Sequence, residues 1–229
     1  MTGIDHDAFL AGLPADLTET FAAFGGELTA LLTESRLDFG DPGGHERVVL
    51  DALTAAATAP ARVHPGNLSL SGVTVVPGSL VVRGHLEFDA HVFVLGDLHV
   101  DGVVRNLAPH SVLAVGGTLR AGHLLAFRAY VHVTTIDVAG IAAFCTYGGV
   151  FGVNSLLARV LWTEDAYFAD AQGDELDEPP MDVVLHVDDT ATPEQLQPFL
   201  EGDLPLTDDD AVDLLGLFDA LVAGDTKLR

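Results

Sequence analysis

Between Leu80 and Val104 the chain alternates with a period of two. Leu80, Val82, Gly84, Leu86 and Phe88, then Val92, Val94, Gly96, Leu98, Val100, Gly102 and Val104, are apolar or glycine. Arg83, His85, Glu87, Asp89, Asp97, His99 and Asp101 fall between them, so the pattern predicts short strands with one buried and one wetted face, and places His85 and His99 on the wetted side. The strands recur as a phrase. Leu80–Phe88, Val92–Gly102 and Leu113–Gly122 are three copies, and Val133–Gly140 and Val153–Arg159 are two degenerate ones. An anchor leucine or isoleucine stands at 98, 119, 136 and 156, in steps of 21, 17 and 20 residues, a period of solenoid length.

A single coil cannot bury its own apolar face. The next coil must lie on it with strands in parallel register, which makes stacking obligatory. The glycines inside the strands suggest corners, and Gly116-Gly117 and Gly148-Gly149 read the same way. Gly96-Asp97 and Asp101-Gly102, the nearest candidates for hairpin turns, both interrupt a continuous alternation. The expected fold is mainly β, a short right-handed parallel β-helix flanked and capped by helical segments. A sandwich of short antiparallel strands is the competing architecture.

The flanks carry a different periodicity. Leu17, Phe21, Phe24 and Leu28 predict helix from Pro14 to about Thr33, either one helix weakened at Gly25-Gly26 or two short ones with a bend there. A second helix fits Glu46 to Thr58 and stops before Pro60. Beyond Trp162 an acidic loop is expected, then a strand over Asp182–Val187. A short helix follows, with Thr192 as N-cap and Pro193 at its first position, and a last one over Asp208–Ala223 with Thr207 in a capping box and Gly224 as C-cap. This divides the chain into a helical cap over residues 1–63, a solenoid core over 64–163 and an acidic segment over 164–229. Helices over the open ends would favour monomers or small oligomers.

Composition changes this picture mainly through charge. The formal net charge is −24 over 229 residues, and the mean hydropathy of +0.34 leaves ample apolar residues for a core. Residues 64–163 hold five acids and five arginines, whereas residues 164–229 hold 19 acids against one lysine and one arginine. Such a surface repels nucleic acid and anionic membrane and speeds encounter with a basic protein. The acidic amino terminus and the absence of a long apolar run point to a cytoplasmic protein. Cys145 is the one cysteine and, among Ala143, Phe144 and Tyr147, reads as a buried inert thiol.

No catalytic constellation emerges. The ten histidines include no His-x-x-x-His pair, there is no Gly-x-Ser-x-Gly elbow or phosphate-binding loop, and His186 beside Asp188 and Asp189 reads as a surface pair. An acyltransferase on a left-handed β-helix would need a strict six-residue apolar repeat, which steps of 17 to 21 residues do not display. The expectation is a protein without enzymatic activity, metal or cofactor.

At Gly96-Asp-Leu-His-Val-Asp-Gly102 the chain resembles the bactofilin-like, polymer-forming right-handed β-helices, in which Gly-x-Leu-x-Val-x-Gly recurs coil after coil. The resemblance covers residues 68–162. The long flanks depart from it. In them, and in the carboxy-terminal Leu217–Arg229, the chain looks like solenoid proteins found near bacterial polymorphic toxins, where an immunity role is suspected. The acid of the final third predicts a basic protein partner, such as a toxin domain in keeping with that resemblance, met by Asp174, Glu175, Asp177 and Glu178 and by Asp208, Asp209 and Asp210. A bactofilin-like scaffold and a nucleic-acid mimic that inhibits a DNA-binding protein are the alternatives. For the second cluster the plain explanation is that acids at a helix start complement its dipole; for the first, that it is a solvated loop.

Overall fold

A computed structural model describes residues 4–15, 17–19, 46–145, 149–170, 174–176 and 181–229. The solenoid is present, with about six turns. Thirteen strands join one sheet through parallel pairs, which excludes the sandwich. The anchors stack as the phrases predict: Leu98 lies against Leu119, Leu119 against Ile136, and Ile136 against Leu156. The first phrase belongs elsewhere. Leu80, not Leu86, stands in the column of Leu98, because each coil has three faces and Leu86 begins the second of them.

The first face runs through β1 (Arg62–His64), β4 (Leu80–Val82), the start of β7 (Leu98–Asn106), the middles of β8 (Val112–Phe127) and β9 (Tyr130–Cys145), and the starts of β11 (Ser155–Glu164) and β13 (Met181–Asp188). The second begins with β2 (Leu68–Leu70) and β5 (Leu86–Phe88), and continues through the later parts of β7, β8, β9, β11 and β13. The third holds β3 (Thr74–Val76), β6 (Val92–Val94), the first parts of β8 and β9, then β10 (Gly149–Phe151) and β12 (Tyr167–Ala169). Tyr167–Ala169 was expected in the acidic loop, but Phe168 is drawn into the stack beside Val150 and buries its ring against Phe144.

The early coils do carry a six-residue repeat, contrary to the expectation. Glycine recurs at 66, 72, 78, 84, 96 and 102, and the coil step from Arg62 to Leu80 to Leu98 is three such units. Its cause lies at the corners. Asn67 Oδ1 accepts the His85 amide, Ser79 Oγ the Asp97 amide, and Asp97 Oδ1 the Thr118 amide. Each polar side chain reaches across to the next coil and occupies the space where a Cβ would stand. A Cβ on Gly84 would lie 2.3 Å from Asn67 Oδ1, and one on Gly96 2.5 Å from Ser79 Oγ. Glycine, a polar residue and leucine thus spell one corner and the start of the next face. His85 belongs to this set: it sits at a corner, not on the outer face, and its Nδ1 accepts the Val103 amide.

Outward residues decide what covers each face. On the third face Val75, Phe93 and Ala114 form an apolar column, and α1 (His6–Gly12) and α2 (Glu46–Ala56) bury Phe9 and Leu53 against it. On the second face Leu125, Ala143, Trp162 and Val187 follow one another, and α3 (Pro193–Leu196) and α4 (Leu214–Ala223) cover them with Leu196, Leu217 and Phe218. Arg105 clamps α4 down, contacting Glu87 and Asp219 at 2.6 Å each. The first face turns His99, Arg120 and Asp137 outward, and no described helix covers it. The helices therefore flank the stack along its sides. At its ends, β1, β2 and β3 pair on one side only, as does β13, among the described residues.

The α1 helix was not foreseen. The helix expected from Pro14 to Thr33 falls mainly outside the described residues, as does Gly148. Asp208–Asp210 do not open a helix: Thr207 and Ala211 close a turn, Leu206 bridges Val212, and α4 starts after Asp213. Gly224 ends α4 at φ +82, the left-handed C-cap. Cys145 is fully buried and burial pushes its thiol up to about 12, which makes it inert. None of the described helices is long and apolar enough to cross a membrane.

Candidate functional site: an acid-lined cleft at the carboxy-terminal end

The last coil ends the hydrophobic stack with polar residues. Along the second face the inward column Leu86, Val104, Leu124, Ala142 and Leu161 finishes at His186, and the neighbouring column through Phe144 finishes at Thr163 and Asp188. A cleft of about 640 Å³ opens there. Leu161, Phe168, Leu176 and Met181 supply its apolar part, and Asp165, Glu175, Asp188 and Asp189 its carboxylates; its described lining includes no lysine or arginine. Asp165 and Asp189 sit at corners with φ of +48 and +62, where short polar side chains are tolerated better than branched ones.

Strand pairing brings Thr163 and His186 together across 23 positions of sequence. The Thr163 hydroxyl donates to Asp188 Oδ1 at 2.7 Å, and His186 Nε2 lies 2.9 Å from the same hydroxyl and 3.2 Å from the same carboxylate. With the hydroxyl proton directed at Asp188, Nε2 must donate to the hydroxyl oxygen, so the imidazole is not its base. The trio orders the edge of the cleft. Among the described residues no group of three histidine, cysteine or acidic side chains is placed to hold a metal.

The first predicted acidic cluster falls partly on this site. Glu175 lines the cleft and bridges back to Ala169, and Asp174 is held in a turn by Asp170, whose Oδ1 accepts its amide. Both lie near Tyr167, whose phenol is held above its ordinary range by desolvation, then by the charge of Glu175 and Asp174. Asp177 and Glu178 lie outside the described residues. The second cluster, Asp208–Asp210, is an exposed turn with no part in the cleft lining, and Asp213, not these three, occupies the α4 N-cap. Asp165, Asp188 and Asp189 were missed as site residues. Only the 25-residue step from Leu156 to Met181 brings them round to Glu175, and no repeat in the sequence announces it.

The opposite end is built differently. Arg62 and His64 occupy inward positions on the first face, Leu68 and Leu70 on the second and Thr74 and Val76 on the third, and they enclose a mouth of about 270 Å³. Comparison of the chain with protein-family models, with curated proteins and with solved structures finds no match.

Proposed function

We propose that the chain is a binding protein without catalytic activity, and that the cleft at its carboxy-terminal end takes a basic segment of a protein partner. One observation carries this reading: four carboxylates, Asp165, Glu175, Asp188 and Asp189, converge around an apolar floor whose described lining holds no lysine or arginine. Lysine or arginine stems cover such a floor while their charged ends meet the carboxylates, and the field of the acidic final third steers the encounter. An immunity protein that neutralises a basic toxin domain fits this chemistry. Affinity purification from the native cell, with the intact chain and with a D165N/E175Q/D188N/D189N variant, tests it. The intact chain should recover a basic protein that the variant loses; identical recoveries would sink the proposal.

A bactofilin-like scaffold is the second reading, and the two ends favour it: among the described residues both carry strands paired on one side only, and Arg62 and His64 at one complement the carboxylates at the other. Filaments of the intact chain under the electron microscope, dispersed by Arg62→Glu, would put this reading first.

A further inference from the structure

Beside the acidic cleft lies a free backbone edge. Strand β13 pairs with β11 on one side, and no described strand pairs with it on the other. Asp189 donates its amide to Thr163 O, toward β11. By the two-residue alternation of a strand, the amides of His186 and Asp188 point the other way, in the plane of the sheet and away from β11, while their side chains line the cleft beside them. Val184, on the same strand, is 74% exposed. An edge of this kind, with unpaired donors and acceptors, accepts another extended chain.

Resting on the binding role proposed above, we infer that the partner binds by strand addition: an extended, basic segment pairs with the free edge of β13 as one more rung of the solenoid. Charge complementarity selects the occupant. Asp182 and Asp188 on the strand, with Asp165, Glu175 and Asp189 around it, leave an acidic or neutral strand without compensation. The inward positions of β13 are Met181 and Val183, then His186 and Asp188. The segment that fits therefore sets an apolar side chain over Met181 and Val183 and a lysine or arginine over Asp188.

The probe is an end-blocked octapeptide of alternating lysine and valine, compared with the same peptide N-methylated at every residue, which keeps the charge and removes the backbone donors. Binding to the intact chain is followed by calorimetry and by amide exchange in β13. The unmethylated peptide should bind, slow exchange at His186 and Asp188, and bind more tightly than the methylated one by about tenfold or more, the worth of two or so backbone hydrogen bonds. Equal affinity of the two peptides, or binding that leaves those amides unprotected, overturns strand addition while leaving the charge-based role in place. No binding by either peptide, or undiminished binding to the D165N/E175Q/D188N/D189N variant, overturns both.

Discussion

In the first coils β1 to β6 are three residues long and the corners between them are rich in glycine; in the fourth and fifth, β8 and β9 run sixteen residues each, through three faces without a break. Both halves give the same three-faced stack, but they hold it differently. The early coils are tied at their corners by Asn67, Ser79, Asp97 and His85. The later coils bend through shifts of register, as between Val115 and Thr118, and lean on outer cladding, with Trp162 buried beneath the carboxy-terminal segment and its Nε1 donating to Asp189 O. A solenoid can thus be specified by a local corner code or by a long ladder fastened from outside. The two devices overlap, since α1 and α2 also clad Phe93 in the early coils and His123 ties a later corner through the Ile141 amide, so the halves differ in how much each device carries.

Interior leucines should give the largest effects, and should not distinguish the halves. Leu98 and Leu119 are fully buried in one column, so Leu98→Ala and Leu119→Ala are each expected to cost roughly 2–5 kcal/mol by denaturant titration. Leu68, half-buried at the open amino-terminal mouth, should cost less than half as much. Equal costs at Leu68 and Leu98 would mean that this mouth is closed in solution.

Acid should reveal the halves through two histidines with one job. His85 and His123 both accept a next-coil amide, from Val103 and Ile141, but His123 is the more deeply buried, beneath Phe218. Burial, then the charge of His85, holds His123 down at about 4, and burial also lowers His85. The folded state keeps His123 neutral while the unfolded chain protonates near pH 6.5. The unfolded state therefore binds more protons between pH 6.5 and 4, and stability falls as pH falls through that window, by roughly 3 kcal/mol for His123. In His123→Gln most of this slope should disappear, and in His85→Gln less of it. A slope that survives both substitutions would place the acid sensitivity elsewhere.

Legibility followed the same division. Period-two alternation and the anchors at 98, 119, 136 and 156 were enough for a stack of parallel coils, because burial on one face imposes them. The three faces were missed, although the glycines from 66 to 102 stood six or twelve apart in plain view; their meaning depends on a side chain 18 residues away, such as Ser79 beneath Asp97. The cleft was half legible. Glu175 stood out as charge, but Asp165, Asp188 and Asp189 join it only through strand pairing across an irregular step.

Corner glycines should respond according to what lies beneath them. A Cβ on Gly96 would stand 2.6 Å from the Ser79 backbone nitrogen, whereas one on Gly66, in the first described coil, meets nothing within 4 Å. Gly96→Ala should therefore cost about 1–3 kcal/mol by thermal or chemical unfolding. Gly66→Ala should be neutral or stabilising by up to ~1 kcal/mol, through the unfolded chain. Similar costs at both sites would make glycine a requirement of backbone conformation, not of close approach.

The smallest effect isolates the corner code itself. Asp97 Oδ1 accepts the Thr118 amide at 2.8 Å, and the same oxygen is what a Cβ on Gly117 would meet, at 2.3 Å. Asp97→Ala loses one hydrogen bond at a surface corner, about 0.5–1.5 kcal/mol. Gly117→Ala alone must displace that carboxylate and break the same bond. Once Asp97 is alanine, the nearest remaining obstacle is the Asp97 backbone nitrogen at 3.2 Å, a crowding of a few tenths of an ångström. The double variant D97A/G117A should consequently be more stable than the sum of the single losses predicts, by about 0.5–1 kcal/mol or more. Strict additivity would show that the glycine and the aspartate serve the corner independently, and that the six-residue spacing of the early coils reflects the backbone and not the side chains threaded between them.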